Sequence, residues 1–286
     1  MNIVRNKDDS LKATANQAGL QPYAHQEPVV KKVRKGEVTI EYRVDGEGPL
    51  ILIIASTGRG TKEFDVLAKM LAERGYRVLR PEPRGIGGSK GPMENVTFHD
   101  FANDFSNVIK SEGGSPAILV GHAYGNWIAR TIASDHPDLS RGVVLMAAGA
   151  KSWPKELSQA ITMINDPSST REQRLAGLKL AFFAKGSDPA PWLEGWHTDV
   201  MKSQRKAREL TNMKDWWAGG SSPILDLLGG SDPFRPRSSY HELKDEFGGR
   251  VTVKVIAGAS HAMPVERTKE VANAIADWAD QLQKSR

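Results

Sequence analysis

Pro116-Ala-Ile-Leu-Val-Gly-His-Ala-Tyr-Gly-Asn126 is the stretch on which the fold turns. Its apolar run, Ala117 to Val120, has the composition of a strand covered on both faces. Gly121 and Gly125 bracket a tight turn, and a helix is predicted to open at once, from Asn126 to about Asp135. Glycine at both ends lets strand and helix backbones approach closely. So sharp a bend pushes its central residue out over the edge of the sheet. An attacking group placed there would be well presented to a substrate. The central residue is Ala123, and a methyl group cannot attack anything.

Outward from this turn, the flanking chain alternates strand and helix signals. On the N-terminal side, Val38 to Val44 alternates as a half-exposed strand does, Asp45-Gly-Glu-Gly48 is a turn, and Leu50 to Ala55 is a continuous apolar run. Ser56-Thr-Gly-Arg-Gly60 follows as a loop. A helix then places Phe64, Leu67 and Leu71 on one face, with Gly75 as its stop. Tyr76 to Arg80 is a strand and Pro81 to Gly91 a loop. The glycines of that loop lead into no helix, so a dinucleotide-binding fingerprint is set aside. A helix carrying Phe98, Phe101, Phe105, Val108 and Ile109 precedes the central stretch, and Gly142 to Ala147 is a buried strand beyond it. This rhythm predicts an α/β protein with a mainly parallel, doubly wound sheet.

From Lys151 to Gly220 the rhythm breaks. The segment is helical and polar, interrupted by Pro154, Pro167, Pro189 and Pro191, and it holds Trp153, Trp192, Trp196, Trp216 and Trp217. We expect an inserted helical cap over residues 151–220, a core built from 28–150 and 221–286, and a polar N-terminal extension over 1–27. Strand signals return at Pro223 to Leu228 and Val251 to Ile256. A last helix presents Val271, Ile275, Trp278 and Leu282 as one stripe.

Composition narrows the functional classes. The 286 residues are 39% hydrophobic, enough for a sizeable core, and the net charge of +5 is mild. The cations are scattered except for a run from Lys202 to Arg208, which reads as a solvated helix face, so nucleic acid is not an expected partner. The chain has no cysteine, which removes thiol nucleophiles and disulfides, and its seven histidines show no paired metal-ligand spacing. No metal or cofactor is therefore expected. No apolar run approaches the about 18 residues needed to cross a bilayer, and the N-terminus shows no signal-peptide pattern. A cytoplasmic protein without a membrane partner is the expectation, as monomer or homodimer.

Four local motifs, taken in order, are Ile54-Ala-Ser-Thr-Gly-Arg-Gly60, Arg80-Pro-Glu-Pro-Arg-Gly-Ile-Gly-Gly-Ser89, Gly121-His-Ala-Tyr-Gly125, and the pair Gly230-Ser-Asp232 with Gly258-Ala-Ser-His261. Together with the element order they make residues 36 to 284 resemble the α/β-hydrolase superfamily. The resemblance implies a nucleophile elbow centred on Ala123, an acid at Asp232 and a base at His261, with Asp226 as a second candidate acid. A buried carboxylate would fix the imidazole tautomer, and the imidazole would move a proton near neutral pH. The oxyanion site would use the N–H of Tyr124 and that of Ser56 or Thr57. His122 would be a packing residue.

Three readings of Ala123 follow from the resemblance. In one, Ala123 is a Ser→Ala change in a serine hydrolase that cuts an ester, lactone or similar carbonyl-linked bond. In another, alanine is native and His261–Asp232 acts as a base on water or substrate, as in lyases or cofactor-free oxygenases of this fold. In the third, the protein is a non-catalytic binder. Trp153, Trp192, Trp196 and Trp217 are the expected substrate contacts, either facing an apolar or aromatic small molecule or fastening the cap to the body. Arg59 and Arg84, on loops at the carboxyl ends of strands, are candidate partners for a carboxylate.

Overall fold

The strand and helix signals resolve into one eight-stranded sheet in the computed structural model, which describes residues 27–284. Its strands are β1 (Val29–Lys35), β2 (Val38–Asp45), β3 (Leu50–Ile54), β4 (Arg77–Pro81), β5 (Ala117–His122), β6 (Ser140–Met146), β7 (Ile224–Gly229) and β8 (Val251–Ile256). They lie in the order β1-β2-β4-β3-β5-β6-β7-β8. β2 runs antiparallel to β1 and β4, and every other pair is parallel. The N-terminal extension expected over 1–27 lies outside the described residues except for Glu27.

β1 is an element that the sequence pattern did not reveal. Val-Val-Lys-Lys-Val-Arg-Lys carries cations on both faces and stays mostly exposed, so it lacks the alternation of a half-buried strand. It pairs along its full length with β2, Val33 opposite Ile40. Lysines on such an outermost strand discourage a further chain from adding to the sheet.

The sheet is covered on both faces, as parallel sheets require. Alternate residues of one strand serve opposite layers. Leu50, Leu52 and Ile54 pack beneath α2 (Phe98–Ser111) and α3 (Gly125–Asp135), whereas Ile51 and Ile53 face α1 (Asp65–Glu73) and α10 (Thr268–Lys284). Thr97 and Asp100 form a reciprocal capping box that starts α2. Between β6 and β7 lie α4 (Lys155–Asn165), α5 (Arg171–Ala181), α6 (Thr198–Leu210) and α7 (Met213–Trp216). α4, α5 and Trp192 close a separate apolar cluster with Phe182, Phe234 and Ala262. Two short helices, α8 (Glu242–Phe247) and α9 (Met263–Glu266), flank β8.

The turn from β5 into α3 brings strand and helix backbones into very close approach. A Cβ on Gly121 would overlap the Gly125 carbonyl and the Asn126 backbone, and one on Gly125 would overlap the Ile54 carbonyl. Ala123, at the apex, has φ +46°, a left-handed conformation that costs a non-glycine residue about 1–2 kcal/mol. The bend is held by the Ala123 N–H donating to the Met146 carbonyl at 2.9 Å and the Asn126 N–H donating to the Ala123 carbonyl at 3.1 Å.

Because the clash at Gly121 is with backbone, it cannot be relieved by a rotamer change. Gly121→Ala should lower unfolding stability by about 3 kcal/mol or more, whereas Gly249→Ala, where a Cβ meets nothing within 4 Å, should change it by less than about 0.5 kcal/mol. Urea titrations of the two variants at matched m-values measure the difference.

Candidate active site

The loops leaving the carboxyl ends of β3, β5, β6, β7 and β8 meet beneath the helical segment. They enclose a cavity of about 480 Å³. Its floor is made by Ser56, Thr57, Ala123, Tyr124, Asn126, Gly149, Phe234 and His261. Ligand sites in open α/β sheets lie at this end of the strands because the chain fans out there.

His261 follows β8, and Asp232 lies in the loop after β7. The His261 Nδ1 stands 2.9 Å from Asp232 Oδ2. The other oxygen, Oδ1, accepts the Phe234 N–H at 2.9 Å. A carboxylate oxygen can only accept, so Nδ1 is the donor of this bond. The ring is held by Phe234, tilted at 43° with centroids 4.4 Å apart, and edge-on by Phe182 at 5.4 Å. Both partners of the pair are nearly fully buried, and His261 and Ala123 line the same cavity.

Asp226 is differently engaged. It lies within β7, fully buried, and receives Arg235 Nη2 at 2.6 Å. Burial pushes its carboxyl up to about 6, against the pull of Arg235 and Arg130. Its partner is therefore a guanidinium and not the imidazole.

His122 sits one residue before the apex, wholly buried, with its Nε2 donating to the His261 carbonyl at 2.8 Å. Burial and the neighbouring His261 depress its pKa to about 3, so the ring stays neutral and pins the His261 loop from below. Tyr124 points its ring into the body, edge-on to Phe98 at 5.6 Å and Trp127 at 5.4 Å. Only its backbone meets the turn, where the N–H groups of Tyr124 and Gly125 have no backbone acceptor among the described residues. Ser56 and Thr57 both line the cavity, and Thr57 Oγ1 is buried without a partner among the described residues.

The expected tryptophans divide. Trp153 and Trp196 line the cavity. Trp192 does not. It is packed in the apolar cluster that α4 and α5 close with Phe234 and Ala262, where its carbonyl accepts the Trp196 Nε1–H at 2.6 Å. Trp217 stands on the outside of the fold, with Arg130 4.5 Å and Lys151 5.2 Å over its ring and its Nε1–H on Glu246. Arg59 and Arg84 are likewise spent internally. Arg59 pairs with Glu63 at 2.8 Å and stacks on Trp192 and Trp196, and Arg84 grips Asp104 at 2.6 Å.

Several lining residues were not singled out from sequence: Trp127, Phe182, Phe234, Arg205 and Arg208. Trp127 had a usable signal, one helical turn beyond Ala123 on the helix that the elbow opens. Arg205 and Arg208 had none, because a helix rich in cations looks the same whether it faces water or a cavity.

A model of the alpha/beta hydrolase family matches residues 54–274, and the chain belongs to that family. A 2-(acetamidomethylene)succinate hydrolase of Mesorhizobium japonicum is 32% identical over 116 residues, 41% of this chain and 41% of that protein. The chain therefore matches well under half the length of that relative. An sn-1-specific diacylglycerol lipase, ABHD11 of Xenopus laevis, is 22% identical over 82% of this chain and 80% of its own. Among solved structures, E-2-(acetamidomethylene)succinate hydrolase superposes with a TM-score of 0.74 at 20% identity, over 89% of this chain and 100% of that one. A serine-to-alanine mutant of the meta-cleavage product hydrolase CumD from Pseudomonas fluorescens superposes with a TM-score of 0.69 at 20% identity, over 85% of this chain and 95% of that one. At these identities the superpositions speak to the fold alone.

The buried neutral state of His122 has a measurable consequence. Its pKa is about 3 in the folded protein and 6.5 when free, so between those values the unfolded chain binds the proton and the folded one does not. Stability contributed by His122 is then lost as pH falls, by up to about 1.4 kcal/mol per pH unit. Asp226, raised from 3.8 to about 6, acts in the opposite sense over part of that range. His122→Gln removes the first effect and keeps the second. Urea midpoints followed from pH 7 to 4.5 should therefore fall more steeply in the parent protein than in the variant, whereas parallel curves would mean that the folded state accepts the proton.

Proposed function

We propose that this alpha/beta hydrolase acts on an ester, lactone or similar carbonyl-linked bond of a mostly apolar small molecule, at the wall shared by Ala123 and His261. One observation carries the proposal: an apex residue held at φ +46° and an imidazole held 2.9 Å from a buried carboxylate line one cavity. A buried Asp–His pair costs desolvation that a scaffold without chemistry need not bear. The reaction class is supported by relatives that bear the names hydrolase, deacetylase and lipase. The apolar character of the substrate is supported by the aromatic walls, Trp127, Trp153, Phe182, Trp196 and Phe234.

On this proposal Ala123 is a Ser→Ala replacement. A strained left-handed φ at an alanine brings no gain of its own, whereas a serine there would present its hydroxyl to the Nε2 of His261. The imidazole would take the hydroxyl proton as oxygen attacks the carbonyl carbon, with Asp232 stabilising the imidazolium. The developing oxyanion would lie against the N–H of Tyr124 and that of Ser56 or Thr57. His261 would return the proton to the leaving group, and water would repeat the sequence to release the acid.

A second reading is favoured by two polar atoms of residues that share the cavity with Ala123. Thr57 Oγ1 and Asn126 Oδ1 belong to cavity-lining residues and have no hydrogen-bond partner among the described residues. With alanine as the native residue, such acceptors would orient a water for proton removal by His261, and the acid–base pair would act without a covalent intermediate.

A fluorophosphonate probe separates the two. Ala123→Ser should become labelled at residue 123, and the further change His261→Ala should slow labelling by about 10³-fold or more. The unchanged protein should stay unlabelled. A folded Ala123→Ser protein that resists the probe would sink the serine proposal. Phenyl-ester turnover by the unchanged protein that disappears in His261→Ala would instead establish the water-activating pair.

A further inference from the structure

Two cations on the cavity wall are left without an opposing charge. Arg205, Arg208 and Glu209 line the cavity from α6, at the i, i+3, i+4 spacing that puts three side chains on one helix face. The neighbouring lysines of that helix are paired: Lys202 with Asp199 at 3.2 Å and Lys206 with Glu209 at 2.9 Å. Elsewhere near the site, buried arginines have carboxylates of their own: Arg59 has Glu63, Arg84 has Asp104 and Arg235 has Asp226. Arg205 and Arg208 have none among the described residues.

Arg208 is also held in place. Its guanidinium lies 4.7 Å from the centre of the Trp127 ring and 5.7 Å from that of Trp153. Stacking on an indole engages the flat face of a guanidinium and leaves its N–H donors, which lie in the plane, free at the edge. That edge matches the two oxygens of a carboxylate. Among the described residues Glu209 adds the only negative charge on the lining, and Lys206 already offsets it. The wall therefore offers one or two net positive charges, which suits a monoanion better than a doubly charged phosphate.

We infer that Arg205 and Arg208 form an anion-recognition edge, and that the substrate bears a free carboxylate in addition to the bond that reacts. The inference rests on the cavity being the substrate site. It does not depend on how Ala123 enters the chemistry, because binding alone reveals it.

The test uses the full chain as it stands, with three matched probes: 4-phenylbutanoate, 4-phenylbutanamide and 3-phenylpropylphosphonate. Affinities are read by calorimetry, with quenching of tryptophan fluorescence as a second signal. The carboxylate should bind at least about ten-fold more tightly than the amide. Arg208→Gln and Arg205→Gln, both at exposed positions, should each cut that ratio to about three-fold or less, with the amide affinity unchanged. Arg208→Lys should retain part of the preference, since a charge remains without the fork. Lys202→Gln, on the same helix, should leave the ratio intact. Equal binding of carboxylate and amide would overturn the inference, as would loss of the preference in Lys202→Gln. Tighter binding of the phosphonate would overturn the assignment to a carboxylate. Failure of all three probes to bind would remove the apolar-ligand reading of the cavity as well. Amide binding without any carboxylate preference would spare that reading and sink this inference alone.

Discussion

The close approach of β5 to α3 is the constraint on which the rest depends. Two glycines are needed because the backbone atoms of Gly125, Asn126 and Ile54 occupy the space that their side chains would take. Given that approach, residue 123 has little choice but the left-handed region, and its side chain is forced toward the cavity. The same turn delivers the N–H groups at the start of α3 to the same place. Geometry that serves an attacking group and geometry that serves an oxyanion are thus one feature of the backbone. It persists whatever side chain sits at the apex.

A second alanine, Ala147, also has a positive φ, +52°, just beyond β6. Its N–H donates to the Leu227 carbonyl at 3.0 Å, as the Ala123 N–H donates to Met146. Adjacent strands therefore end in the same way, each tied to the next before the chain turns out. Strain of this kind concentrates where a sheet edge must present loops rather than continue pairing. The buried polar groups follow the same logic. Asp232, His261 and His122 form a short chain of contacts in which each fixes the next: carboxylate to imidazole, and imidazole to the backbone of the imidazole-bearing loop.

Much of this frame was legible in the chain. The apolar run before Gly121 and the two bracketing glycines place the elbow, and the order of strand and helix signals places the sheet. What escaped did so for physical reasons. β1 was missed because an exposed outermost strand need not alternate. Of the four tryptophans expected to face a ligand or fasten the helical segment to the body, Trp192 and Trp217 lie off the cavity lining, because an indole serves equally well to fill an apolar cluster, as Trp192 does, or to stack under a buried guanidinium, as Trp217 does. Neither role has a periodicity. Arg59 and Arg84 lie on the functional side of the sheet, as their loops imply, but their carboxylate partners come from residues 63 and 104, and pairing of that kind is invisible in composition.

The distribution of charge completes the account of the site. A net charge of +5 spread over 39 basic and 34 acidic residues says nothing about where an excess resides. In the folded chain Arg59, Arg84 and Arg235 face carboxylates, and the buried Arg130 instead donates to the Trp217 carbonyl and lies over its ring. Excess positive charge costs less where water or a ligand can reach it. The rim of the cavity is such a place, and on α6 the lysines have found acids while Arg208 has found only aromatic faces and Arg205 no ion-pair partner among the described residues. An aromatic face orients a guanidinium without quenching its charge. A helix that reads as an ordinary solvated surface in sequence thereby gives the cavity a polar, directional edge opposite an otherwise aromatic wall. On the proposed reading the two together would discriminate a ligand by shape and by charge, where either alone would select only for greasiness or only for an anion.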